Sequence, residues 1–174
     1  MLSVRLAIVA SLTAGWFLVP EANAASPVNV SVAPASGSGL GPQDFTYTFS
    51  DADGSTNMRE IMLSTSATGG PSGVNNCYIY AWVTYPAATV YLNNDNGNGW
   101  IGNQGAQVGS NTVLTNSSCS VNLVQSWYTH SGNTFTLNLK ISFQPAYAGT
   151  GVSTFPTENV LACAADSSGA PALK

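Results

Sequence analysis

The chain has 174 residues, of which 7% are charged, with four Lys and Arg in total and a formal net charge of −4. So few and so scattered cations cannot neutralise a run of phosphates, which excludes nucleic-acid binding. With three cysteines, one histidine and no C-x-x-C or Cys/His spacing, no zinc-ligand pattern is present.

Arg5 opens an apolar run, Leu6 to Val19, that Pro20 breaks ahead of the small-x-small triplet Ala22-Asn-Ala24. This predicts a signal peptide over residues 1–24 with cleavage after Ala24. A transmembrane anchor is the rival reading, but the run is too short to span comfortably. The expected product, residues 25–174, is secreted (extracellular or periplasmic), not membrane-spanning, and about 150 residues long. That is enough for a single domain with a real core.

Val28, Val30 and Val32 alternate with polar residues and predict a first strand. Pro34 to Pro42 is a Gly/Ser/Pro loop. Asp44 to Ser50 predicts a strand with Phe45, Tyr47 and Phe49 on one face. Asp51-Ala-Asp-Gly54 ends it. Glu60 to Ser66 is a shorter strand, and Thr68 to Asn76 links it to the most informative stretch. There Cys77, Ile79, Ala81 and Val83 alternate with Tyr78, Tyr80 and Trp82. A strand sends successive side chains to opposite faces, so one face is small and aliphatic and the other aromatic. Tyr85-Pro-Ala-Ala88 is the expected reversal, and Thr89 to Leu92 returns.

A Gly/Asn loop carries Trp100, and Thr112 to Thr115 is a possible short strand. Cys119 to Trp127 predicts a strand with Cys119, Val121 and Leu123 inward, followed by a turn over Tyr128 to Asn133. Thr134 to Phe143 alternates throughout, with Phe135, Leu137, Leu139, Ile141 and Phe143 inward. Glu158 to Ala165 is the last expected strand. No segment after residue 24 has an apolar stripe at helical spacing. Short strands separated by Gly/Asn/Ser turns, each with one apolar face, predict an all-β antiparallel sandwich.

Cys77 and Cys119 both fall on inward sides of expected strands. In an oxidising compartment a bridge between them would pin the hairpin to the Cys119 strand; two buried free thiols are the alternative. Cys163 is then left over, either buried and inert or open to a second chain.

The ordered motifs Val30-Ser-Val-Ala-Pro-Ala-Ser-Gly-Ser-Gly39, Phe45-Thr-Tyr-Thr-Phe-Ser-Asp-Ala-Asp-Gly54, Asn76-Cys-Tyr-Ile-Tyr80, Tyr91-Leu-Asn-Asn-Asp-Asn-Gly-Asn-Gly-Trp100, Leu114-Thr-Asn-Ser-Ser-Cys119, Ala146-Tyr-Ala-Gly149 and Ala164-Ala-Asp166 together resemble a bacterial immunoglobulin-like β-sandwich module. Such modules recur in large secreted and surface proteins. The resemblance covers Val28 to Asp166. It implies the sandwich and the Cys77–Cys119 pairing, and it implies no known catalysis. The chain departs from the pattern in a longer segment at Thr150 to Asn159 and in stopping soon after Asp166, where such modules continue into one more strand. An unpaired edge beside Glu158 to Ala165 would invite self-association by strand addition, with Val28 to Val32 as donor.

Asp51 and Asp53 are candidate calcium ligands, but the full acidic loop is missing, and a polar turn explains them as well. No other cofactor is expected. Asp95-Asn-Gly-Asn-Gly99 reads first as a hairpin turn. His130 stands in the expected turn with no acid nearby and no nucleophile-elbow motif, so no catalytic residue is assigned. The outward aromatics Tyr78, Tyr80 and Trp82, with Tyr91 and Trp100, are the candidate ligand surface, because flat rings stack on sugars or anchor a protein. The expected function is a non-enzymatic extracellular module for adhesion or surface structure; the alternative is a carbohydrate-binding module. The partner would be a protein or glycan surface.

Overall fold

A computed structural model describes residues 25–35, 40–66, 76–145 and 159–166. The signal-peptide segment, the Thr68 to Asn75 link and the segment 150–158 lie outside these residues. Among the described residues, ten strands form two five-stranded antiparallel sheets. The first sheet has the order β1 (Val28–Ala33), β2 (Gln43–Ser50), β9 (Thr134–Phe143), β8 (Cys119–Ser131), β7 (Val113–Thr115). The second has the order β10 (Asn159–Asp166), β3 (Met58–Ser66), β4 (Cys77–Thr84), β5 (Ala87–Leu92), β6 (Ala106–Gln107). No helix among the described residues is long and apolar enough to cross a membrane.

The alternation read from the sequence sets the core. Phe45, Tyr47 and Phe49 of β2 and Phe135, Leu137, Leu139, Ile141 and Phe143 of β9 are buried. They meet Ile61 and Leu63 of β3, Ile79, Ala81 and Val83 of β4, and Val90 and Leu92 of β5. Each buried aliphatic or aromatic side chain contributes roughly 1.5–3 kcal/mol of transfer free energy. The sulfurs of Cys77 and Cys119 are bonded, with Cα atoms 5.6 Å apart. Because β4 and β8 belong to different sheets, this bond ties the two layers together through the core.

Three sequence expectations change. First, the expected turn over Tyr128 to Asn133 is mostly strand: β8 runs to Ser131, and the reversal is Gly132–Asn133, with Gly132 at φ 56°. The cause is a β-bulge. Asn122 pairs with Lys140 and Trp127 pairs with Asn138, so five steps along β8 answer two along β9. The three extra residues are an odd number, which turns the distal half of β8 over. Val121 and Leu123 face inward before the bulge; Tyr128, paired with Leu137, and His130, paired with Phe135, do so after it. Asn122 Oδ1 accepts the Val124 and Gln125 N–H groups, and Ser126 Oγ accepts the Lys140 N–H at 3.1 Å. Side chains thus replace ladder bonds the bulge breaks.

Second, a register shift between Asn29 and Ser31 leaves Val28 and Val30 exposed, and only Val32 packs on the core. Third, the segment expected to donate a strand is already in use: Val28 to Ala33 is paired to β2 along the edge of the first sheet. The last strand, β10, is an edge of the second sheet, paired on one side to β3, with Cys163 in register with Met62.

Candidate functional site

The outer face of the second sheet carries the aromatic residues. In β4 the aliphatic set points into the core while Tyr78 and Tyr80 are partly exposed and Trp82 is 40% exposed. The register then assembles neighbours: Tyr80 pairs with Tyr91, Trp82 with Thr89, and on the other side Met62 with Tyr80 and Glu60 with Trp82. Adjacent strands are close enough for such cross-strand side chains to touch.

Trp100 arrives from the Gly/Asn loop. Asn94 N–H donates to the Gly99 carbonyl at 2.8 Å, Gly97 N–H donates to the Asn94 carbonyl at 3.0 Å, and Gly97 takes φ 71°. The loop closes on itself, and Trp100 pairs back to Asn93. Asp95 serves this geometry: its Oδ1 accepts the Ser117 N–H at 2.8 Å. The deeper anchor is Asn116, which is buried. Its amide nitrogen donates to the Asn76 and Asn93 carbonyls, at 3.0 and 2.9 Å, and its Oδ1 accepts the Ser118 and Cys119 N–H groups. One side chain therefore joins the start of β4, the end of β5 and the start of β8, beside the disulfide.

So placed, the Trp100 ring lies 6.0 Å from Tyr78 at 21°, 5.6 Å from Tyr80 at 28° and 5.7 Å from Tyr91 at 56°. Tyr80 lies 6.5 Å from Trp82 at 33° and 5.8 Å from Tyr91 at 54°. The five candidates named from sequence are one contiguous patch. It is partly self-covered, since Trp100 packs against Tyr78 and Tyr80, and Trp82 is its most open ring. Burial, followed by the neighbouring Glu60 carboxylate, pushes the Tyr80 phenol well above its ordinary range, so it stays a neutral hydroxyl donor.

Two residues beneath and beside the patch escape a sequence reading. A Cβ on Gly105 would come within 2.7 Å of Tyr91 Cζ and of Thr89 Cγ2, so the Tyr91 ring lies where only glycine fits. Glu60 joins through the β3–β4 register, which no local pattern discloses.

The remaining candidates lie elsewhere. Asp51 is buried, and its Oδ1 accepts the Asp53 N–H at 2.8 Å; Asp53 Oδ2 accepts the Ala25 N–H at 2.5 Å. Both carboxylates bond to the chain itself. No group of three or more His, Cys, Asp or Glu side chains suited to a metal occurs among the described residues. His130 closes one end of the sandwich, 4.8 Å from Phe135, 5.1 Å from Tyr85 and 6.0 Å from Tyr128. Its Nδ1 lies 3.1 Å from the Ser55 carbonyl. Burial lowers its pKa, partly opposed by that hydrogen bond. The Tyr128 hydroxyl donates to the Pro86 carbonyl in the β4–β5 turn.

Compared with models of known families, with curated proteins and with solved structures, the chain matches none.

Proposed function

We propose that this chain is a non-enzymatic extracellular module that holds a partner on the aromatic outer face of its second sheet, in adhesion or cell-surface structure. One observation carries the reading: Tyr78, Tyr80, Trp82, Tyr91 and Trp100 form a single patch rather than five scattered rings. Contiguous apolar surface of this kind marks contact sites, and Tyr and Trp anchor partners at little entropic cost. The disulfide suits an oxidising compartment, and the motif order resembles bacterial immunoglobulin-like surface modules.

Recognition of a glycan is the second reading. The near-parallel rings of Tyr78, Trp100 and Tyr80 favour it, because a pyranose stacks flat against such rings. The experiment compares the wild-type chain with Trp82→Ala and Tyr91→Ala in adhesion to cells of the source organism, on a glycan array and on insoluble polysaccharide. Adhesion lost in both variants, without glycan retention, supports a protein partner. Retention on a glycan that both variants abolish supports the second reading. Adhesion and glycan retention unaffected by either variant would remove this face from the function.

A further inference from the structure

We infer that the α-amino group released by cleavage after Ala24 is seated on the Asp53 carboxylate, so that the fold carries a site for its own processed N-terminus. The inference rests on the cut expected from Ala22-Asn-Ala24 and on a geometry found without it.

The backbone nitrogen of Ala25 donates to Asp53 Oδ2 at 2.5 Å. The backbone that carries this carboxylate is held on both sides. Asp53 N–H donates to Asp51 Oδ1 at 2.8 Å, and Asn57 Nδ2 donates to the Asp53 carbonyl at 2.8 Å. Asp51 is itself buried, and its N–H donates to the Asn133 carbonyl at 2.9 Å, in the turn between β8 and β9. The turn that presents Asp53 is therefore anchored in the body of the first sheet. From the other direction, Pro27 is buried and Val28 enters β1 opposite Ser50, the last residue of β2. Only two residues separate the Ala25 nitrogen from that anchor.

In the uncut chain this nitrogen is an amide with one N–H and no charge. After cleavage it is an ammonium with three N–H groups and a full positive charge facing a carboxylate. Hydrogen bonds between ionised partners are the strong ones. Keeping Ala24 would move that charge on by up to about 3.5 Å, one residue of extended chain. The residue that the cleavage rule exposes and the residue that the carboxylate contacts are the same. Processing would thus fasten the entry to β1, an edge strand, by an ion pair the precursor cannot make. It also gives Asp51-Ala-Asp-Gly54 a role that needs no metal.

The test begins with the N-terminal sequence of the exported protein, which should start at Ala25. Residues 25–174 are then prepared with a free Ala25 amine and, separately, with one extra glycine before it, each with and without Asp53→Asn. The free-amine form should melt about 2 °C above the glycine-extended form, the size expected for one exposed charge pair in a domain of this length. Asp53→Asn should abolish that difference. An exported chain that starts at another residue would overturn the inference. So would equal melting of the two amine forms, or a difference that persists with Asp53→Asn.

Discussion

The Trp100 ring lies 5.6 Å from that of Tyr80, within 28° of parallel, although the two residues belong to a loop and a central strand. Nothing local brings them together. The Asn94–Gly99 turn and the β4–β5 register do, and both lean on Asn116. The patch is consequently a product of the loop's closure as much as of the hairpin's alternation.

Gly105→Ala should disturb the patch without touching the core. Its Cβ would sit 2.7–2.8 Å from atoms of the Tyr91 ring, and relieving such overpacking costs about 1–3 kcal/mol. We expect a lower melting temperature and altered tryptophan fluorescence from Trp100. An unchanged emission spectrum would mean that Tyr91 yields without moving its neighbours.

Reducing the Cys77–Cys119 bond should destabilise the chain by about 4 kcal/mol in the chain-entropy model, given the sequence separation of 42. Denaturant midpoints with and without reductant give the measurement. Cys77→Ala with Cys119→Ala should reproduce the reduced value. A double variant as stable as the oxidised protein would place the stabilisation elsewhere.

Asn116→Ala should cost about 3 kcal/mol, since it strips partners from carbonyls and N–H groups that stay buried. Asn116→Asp should be no milder. It places an oxygen against the Asn76 and Asn93 carbonyls, where the amide now donates at 3.0 and 2.9 Å. Urea unfolding of both variants tests this; an aspartate variant close to wild type would show that the Asn94–Gly99 loop closes without the amide donor.

How much of this was legible follows residue by residue. The inward sets of β2, β4 and β9 and the placement of both bridging cysteines could be read off, because strand alternation is local and each set faces one core. The aromatic face could be read for the same reason. The distal half of β8 could not: a surplus of three residues at its bulge breaks the period, and the expected strand therefore ends at Trp127. Glu60 beside Tyr80, Gly105 beneath Tyr91 and the Ala25–Asp53 contact depend on register or on how loops close, and a single chain written in order carries no sign of these.

Acid should weaken the fold through His130. Burial lowers its pKa in the folded chain, while in the unfolded chain it titrates near the ordinary ~6.5. The unfolded state therefore takes up the proton first. The stability this group contributes is present above that value and is lost as pH falls through it toward the lower folded value. His130 is the only histidine, which isolates the effect. The melting temperature should drop between pH 7.5 and 5.5, and His130→Gln should flatten that drop. Equal slopes in the two proteins would assign the acid sensitivity to carboxylates.

The bulge in β8 also gives the sheet slack at one place. The facing of the distal half is fixed by its partners on β9, Tyr128 opposite Leu137 and His130 opposite Phe135, so a residue added or removed between Asn122 and Trp127 changes the size of the bulge and not which side chains meet the core. Removing one residue would leave a surplus of two, and plain alternation from Val121 would then bring Tyr128 and His130 inward without a reversal. Changes of length should accordingly be better tolerated here than in the paired runs on either side, where one residue turns every following side chain over. The segment acts as an expansion joint between two stretches whose register is held elsewhere.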